Sequence, residues 1–338
     1  MPSCERRGCG SRWLGVLCTV LALICLTAYP AQALDMVTDW QEVDSPAGVE
    51  GVSFAVLELP QGGYLAYYMA MANGMQALSS PDGVTWTPAA DFVPPRLEGE
   101  QYLVVSDPWV FQTSDGRYRM IFEAEQDDGT RLLHSAISDD ALVFTYEGVV
   151  MSGSEEDRAP SHDDFSSAPG ACAPRDQDPA GKIFLSVPTG FRQDDGSLRM
   201  YFVSRGDSIA TAVSHDDGLT WERAPGYCLE NAVDPAVMIL PGGGVRMFYT
   251  DWQDAYRTRR VGYADSSDGI SFTPQEWIVS LGGFQGVIVD PEVLTRRPQE
   301  GSQAVMFLSY GEDMESVAVH RLVSPEDWSW GLYPLVQP

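Results

Sequence analysis

One lysine, Lys182, occurs in 338 residues, and Lys and Arg together number 21 against 48 Asp and Glu. The resulting net charge of −27 argues against nucleic-acid binding, which needs clustered cations to displace counterions. It equally disfavours docking on anionic lipid. No segment with helical periodicity reaches a useful length, and after residue 28 no apolar run could cross a membrane. The four histidines, His134, His162, His215 and His320, lack zinc-ligand spacing, and Asp176-Gln177-Asp178 lacks the later Gly and Glu of an EF-hand loop. No Gly-Lys-Ser/Thr phosphate loop and no serine-nucleophile motif is present. The 44% of hydrophobic residues excludes a disordered acidic chain. Gly 32, Pro 23 and 11% aromatics favour a turn-rich β protein.

The longest apolar run, Trp13 to Ala28, follows Arg6, Arg7 and Arg12 and precedes Ala31-Gln32-Ala33. A basic stretch, a short apolar stretch and a small-x-small site define a secretory signal over residues 1–33. The expected location is secreted or periplasmic, with no membrane attachment after cleavage. Removing three arginines and Glu5 moves the net charge from −27 to −29. Cys4, Cys9, Cys18 and Cys25 leave as well, so Cys172 and Cys228 remain. Two cysteines in an exported protein suggest one disulfide. Residues 34–338 read as a single domain and a monomer.

That domain repeats one motif five times. An apolar strand, a tight turn and a second apolar strand appear as Asp107-Pro108-Trp109-Val110, Asp115-Gly116 and Tyr118-Arg119-Met120-Ile121-Phe122. Asp234-Pro235-Ala236-Val237 with Val245-Arg246-Met247-Phe248-Tyr249 is a second copy; others start near Phe54, Pro188 and Asp290. Each unit ends in a Ser-containing turn followed by an aromatic. The serines are Ser80, Ser138, Ser214, Ser266 and Ser324, spaced 58, 76, 52 and 58 apart. The long interval holds an insert at about 150–182. Five units of short strands predict an all-β fold, a five-bladed β-propeller with four-stranded antiparallel blades. The aromatic after each turn is expected to wedge between blades. The segment Met36–Val43 resembles the strand after each Ser-turn and would close the last blade.

The Asp-Pro-x-Val strand, the Asp-Gly turn and the Arg-Met-Phe/Tyr strand resemble the five-bladed propeller glycoside hydrolases: arabinanases, β-xylosidases, invertases and levansucrases. The resemblance covers nearly the whole domain. Ser214-His215-Asp216-Asp217-Gly218-Leu219-Thr220-Trp221 is similar to the Asp box of sialidases. Sialidase activity fits less well, because five blades are counted, the Phe/Tyr-Arg-Ile-Pro signature is absent, and several arginines repeat in a structural strand position. The resemblance implies a protein acting on carbohydrate without a cofactor, although hard carboxylates would suit calcium. It places acids at the first inner-strand position of blades one to three. The aligned positions in all five blades are Ser53, Asp107, Val187, Asp234 and Asp290, so blades one and three lack the acid. A non-catalytic propeller that binds carbohydrate or protein is the alternative this leaves open.

Glycoside hydrolysis needs two carboxyl groups at the scissile bond, one of them protonated. Asp107, Asp234 and Asp290 would converge on the propeller axis, where crowding raises a carboxyl pKa. Glu123 breaks the repeat, since the corresponding residues are Met69, Val203, Thr250 and Ser309; it joins the three aspartates as a catalytic candidate. Glu50 would stand in for the blade-one acid through a shifted strand, and Glu292 would face the axis. Trp109, Trp252 and Tyr310 would stack on sugar rings.

Overall fold

The computed structural model describes residues 34–36, 38–44, 49–71, 73–97, 102–160, 181–252, 260–281, 286–294, 302–313, 316–326 and 328. The expected signal of residues 1–33, Cys172 and the centre of the insert lie outside them. The chain begins with β1 (Leu34–Met36) and β2 (Gln41–Asp44). Blade one runs outward as β3 (Val52–Glu58), β4 (Tyr64–Ala70), β5 (Gly74–Ser80) and β6 (Thr87–Pro88). Blade two is β7 (Tyr102–Gln112), β8 (Tyr118–Gln126), β9 (Arg131–Ser138) and β10 (Thr145–Met151). Blade three is β11 (Leu185–Arg192), β12 (Leu198–Ser204), β13 (Ser208–Ser214) and β14 (Glu222–Arg223), with β15 (Leu229–Glu230) also pairing to β13. Blade four is β16 (Ala232–Ile239), β17 (Val245–Asp251), β18 (Arg260–Ser266) and β19 (Thr273–Leu281). Blade five is β20 (Val287–Val293), β21 (Val305–Gly311) and β22 (Ala318–Val323). Every pairing within a blade is antiparallel, and the inner strands adjoin in the circular order β3, β7, β11, β16, β20. The fold is the five-bladed propeller that the repeats imply. The single helical element among the described residues is a 3₁₀ turn, Glu155–Asp157.

Ring closure uses the N-terminal segment. β2 pairs with β22, Gln41 opposite Val323, and supplies the outer strand of blade five. The remainder of the expected closing segment behaves differently: β1 joins blade four, with Leu34 opposite Leu281. Between them Trp40 is buried edge-on against Phe248 and Trp328, at centroid distances of 6.1 and 4.9 Å. A closed ring hides the polar strand edges that an open sheet would expose.

The aromatic after each Ser-turn packs on the preceding blade. Phe144 meets Tyr67, Trp221 meets Trp109, Phe272 meets Tyr201 and Trp328 meets Phe248. Trp86 completes the circle against Phe307. The turns hold themselves by local hydrogen bonds. Gly218 N donates to Ser214 Oγ at 2.8 Å, and Thr220 N to Asp216 Oδ1 at 2.9 Å. Ser214 Oγ donates to Asp216 Oδ1 at 2.8 Å, and blades one, two and four repeat this bond as Ser80–Asp82, Ser138–Asp140 and Ser266–Asp268. In blade five Ser324 Oγ accepts from Ala304 N instead. The arginines of the second strands are structural, as their repetition implies: Arg246 pairs with Asp265 at 2.7 Å, both buried, and Arg119 with Glu147 at 3.0 Å.

All five inner strands break register at the same place, between Val52 and Ala55, Ser106 and Trp109, Ser186 and Thr189, Val233 and Ala236, and Val289 and Glu292. The residue at each break is left-handed: Ser53 (φ 58°), Asp107 (51°), Val187 (45°), Asp234 (53°) and Asp290 (51°). Such a backbone costs about 1–2 kcal/mol for an ordinary L-residue, and least for Asp. A bulge of this kind re-aims one side chain, here towards the axis.

Trp40→Ala should destabilise the protein by about 3–5 kcal/mol, the range for a large aromatic removed from a core, read from the denaturant midpoint. A loss below about 1 kcal/mol would show that the N-terminal strand is dispensable for closure.

Candidate functional site

The five kinked residues form the floor of a cavity of about 1100 Å³ over the axis. Its polar lining includes Ser53, Ser106, Asp107, Glu125, Arg131, Ser186, Asp234 and Asp290, and Trp252 stands on the wall. The three aspartates singled out from the sequence therefore come together, from blades two, four and five.

They are joined by a hydrogen-bonded belt that visits every blade. Thr250 Oγ1 donates to Asp234 Oδ2 at 2.5 Å, and Asp290 N reaches the same oxygen at 3.3 Å. Ser53 N donates to Asp290 Oδ2 at 2.8 Å, while Ser53 Oγ lies 3.5 Å from that oxygen and donates to Asp107 Oδ1. Asp107 Oδ2 also accepts from Ser106 Oγ at 3.1 Å and lies 3.4 Å from Ser186 Oγ. Ser186 Oγ is in turn hydrogen-bonded to Glu123 Oε2. Arg131 closes the belt, Nη1 on Glu123 at 3.1 Å and Nη2 on Glu125 at 2.8 Å, with its guanidinium 4.6 Å over the Phe184 ring.

Five carboxyl groups share one guanidinium here, so proton uptake relieves the crowding. Burial, reinforced by Asp234 and then Asp107, holds Asp290 well above the usual carboxylate range. Asp234 is raised as well, chiefly by burial, and the two titrate as a pair. Burial pushes Glu123 up to about 8 against the pull of Arg131. A neutral Glu123 can donate to Ser186 Oγ, which frees the serine proton for Asp107.

The other sequence candidates lie elsewhere. Glu123 is 1% exposed and sits beneath the floor, behind Ser186, without reaching the cavity. Glu50 is exposed, bridges to Ala318, and does not replace the missing blade-one acid. Glu292 is buried between blades five and one, where Oε1 accepts from Val56 N at 3.1 Å. Trp109 is a core residue of blades two and three, 2% exposed, and offers no face to a sugar. Tyr310 stacks on His320 at 3.7 Å and donates to Glu42 at 3.0 Å, outside the cavity lining. Only Trp252 keeps a stacking position. Cys228 is buried, and its expected disulfide partner falls outside the described residues. Among the described residues no group of three or more His, Cys, Asp or Glu is arranged to hold a metal ion.

Sequence reasoning passed over Glu125, Arg131, Ser186 and Thr250. A signal for two of them existed: Glu123 and Glu125 alternate onto one strand face, and Arg131 stands opposite Glu125 across the β8–β9 hairpin. Ser186 and Thr250 carry no such mark, because a hydroxyl at a strand end is common.

These features define a five-bladed β-propeller with a carboxyl-lined axial cavity. No protein-family model matches the chain, and no curated protein matches it in sequence. Solved structures of similar fold are found. A thermostable family-43 glycoside hydrolase is 15% identical, with a TM-score of 0.56 over 82% of this chain and 89% of that one. A family 117 glycoside hydrolase from the marine bacterium Zobellia galactanivorans is 13% identical, with a TM-score of 0.56 over 84% and 89%. An endo-arabinase from Bacteroides thetaiotaomicron is 14% identical, with a TM-score of 0.55 over 84% and 97%. At these identities the likeness is one of fold.

Two sets of acids give the stability a defined pH dependence. The raised pKa values of Glu123, Asp234 and Asp290 mean that the folded state holds more protons than the unfolded chain. Stability is then greatest below the unfolded values near 4 and falls as pH rises towards 8, by up to about 1.4 kcal/mol per pH unit per group. The turn aspartates Asp82, Asp140, Asp216 and Asp268 are held low by local hydrogen bonds, so their contribution is lost below about pH 4. Thermal melts should peak in mild acid, and Glu123→Gln should flatten the decline between pH 5 and 8. Parallel curves for wild type and variant would contradict this account of Glu123.

Proposed function

We propose that the protein is an exported glycosidase-like propeller that hydrolyses a glycosidic bond with the carboxyl groups of the axial cavity. The observation that carries the reading is the meeting of Asp107, Asp234 and Asp290 on the floor of an open cavity, with Asp290 favoured in its protonated form. The shared fold of glycoside hydrolases supports it, although fold alone does not determine chemistry. Asp290 gives its proton to the leaving oxygen as the C–O bond breaks. Asp107, held by the Ser53 and Ser106 hydroxyls, accepts a proton from the water whose oxygen bonds to the anomeric carbon. Asp107 then releases its proton to solvent, and solvent returns one to Asp290. Trp252 offers its ring to the apolar face of a sugar. Export rests on the signal of residues 1–33, and the Cys172–Cys228 disulfide belongs to the same proposal. The protein is taken to act as a monomer.

A second reading is a non-catalytic carbohydrate-binding propeller. It is favoured by the local donors that hold the aspartates, Ser53 N on Asp290 and Thr250 Oγ1 on Asp234, and by Ser53 and Val187 at the kinks of blades one and three.

A screen of aryl glycosides and polysaccharides separates the two. Asp290→Asn and Asp107→Asn should each lower kcat by about 10²-fold or more with a smaller change in KM. The wild-type rate should fall on the alkaline side as Asp290 loses its proton. Saturable glycan binding without turnover would favour the binding module, and unchanged turnover in either variant would remove that aspartate from the mechanism.

A further inference from the structure

The cavity is not confined to the axis. From Ser53 on the inner strand it extends outward along the top of blade one, past Met69 at the end of β4 and Met75 at the start of β5, to Pro88 and Phe92 beyond the outermost strand. Four strands at about 4.8 Å spacing make this trough about 14 Å long. Its far wall is Pro95, before blade two, and Val105 on β7 of blade two.

The trough differs chemically from the floor it leads to. The floor is crowded with carboxyl groups, whereas no residue lining the trough between Met69 and Pro95 is charged, in a chain of net charge −27. Its polar side chains are Asn73 and Gln76, and the Gln76 amide is occupied by Asn73 O and Met75 O at 3.1 and 3.0 Å. Met75 belongs to the core shared by blades one and two, against which Met69, Phe92 and Val105 also pack. Among the described residues the trough is the uncovered upper edge of that core. Met71 stands 51% exposed at its rim. Methionine adapts to irregular apolar shapes, and exposed apolar surface joined to a polar pocket marks a binding groove.

We propose that the trough over blade one is a subsite for an apolar group carried by the ligand, so that the substrate is a glycoside with an alkyl or aryl aglycone or substituent. This rests on the glycan reading of the axial floor. The sugar lies over Asp107, Asp234 and Asp290, and the apolar group extends from it along Met69, Met71, Met75 and Phe92.

The test uses the full chain and an uncharged fluorescent probe, N-phenyl-1-naphthylamine. It is displaced by methyl, phenyl and n-octyl galactosides and glucosides below their micelle-forming concentrations. The probe should bind saturably at one site, and the octyl or phenyl glycoside should displace it at a concentration at least about tenfold lower than the methyl glycoside, given the added apolar area. Whether phenyl or octyl competes better distinguishes an aryl from an alkyl occupant. Met71→Glu, at an exposed position that leaves folding intact, should weaken probe binding by about fivefold or more. Val84→Glu, an equally exposed aliphatic on a Ser-turn outside the cavity, should not. Absence of saturable binding, equal competition by methyl and octyl glycosides, or equal weakening in both variants would overturn the subsite. Asp290→Asn keeps the two readings apart, since it should lower turnover by about 10²-fold or more and retain the probe. Turnover without any preference for an apolar aglycone sinks the subsite and leaves the hydrolase. Probe binding that Met71→Glu removes, with no glycan turned over, supports the apolar site and sinks the hydrolase.

Discussion

A single backbone constraint organises the molecule: the left-handed residue at the register break inside each inner strand. It recurs at Ser53, Asp107, Val187, Asp234 and Asp290, always with the same loss of register against the second strand. In a regular strand these side chains would alternate between the two faces of a blade and be absorbed between neighbours. The kink takes one residue per blade out of that alternation and turns it to the axis. Val187 is the costly member, because a β-branched residue strongly disfavours positive φ. Its presence shows that the ring dictates the conformation whatever the side chain, and that aspartate is a favourable occupant and not its cause.

Ring closure gives the constraint its chemical consequence. Adjacent inner strands bring the kinked residues within one hydroxyl of each other, so Ser53 alone touches both Asp107 and Asp290. Acids so arranged cannot all ionise. The protein tolerates the arrangement because its cohesion comes from elsewhere: five aromatic wedges, each on the preceding blade, and turn aspartates satisfied by their own backbone. The acid excess therefore divides into two populations with opposite effects. Turn acids are stabilised as anions, whereas burial disfavours the anions of Asp234, Asp290 and the underlying Glu123.

Much of this was legible in the sequence and some of it was not, for identifiable reasons. Repeats with fixed spacing reveal blades, because each blade must solve the same packing problem. The Asp-Pro positions pointed to the axis for the same reason. Side chains chosen for type and not for repeat position were misplaced. Trp109 suits sugar stacking, yet it occupies a buried inner-strand position just past the register break, as Ala236 does in blade four. Tyr310 belongs to a stacked pair with His320, outside the cavity lining. Glu123 was correctly marked as a break in the repeat, but a residue's depth below a surface depends on the neighbouring blade, and Ser186 of blade three covers it. The trough over blade one was illegible, since Met69, Met75 and Phe92 read as ordinary core. Among the described residues no element covers them, and this makes it a cavity.

The missing acids of blades one and three gain an electrostatic rationale from the same geometry. Two more carboxyl groups at Ser53 and Val187 would complete a ring of five with Arg131 as the only cation lining the cavity among the described residues, and that cation is already shared by Glu123 and Glu125. Serine at blade one instead provides donors, and its N–H and Oγ connect Asp290 to Asp107. Valine at blade three adds no charge, and the preceding Ser186 provides the polar contact to Asp107 and Glu123. The axis thus holds as many acids as its hydroxyl donors can separate. Restoring a carboxylate at Ser53 would remove the donor that lets its two neighbours coexist.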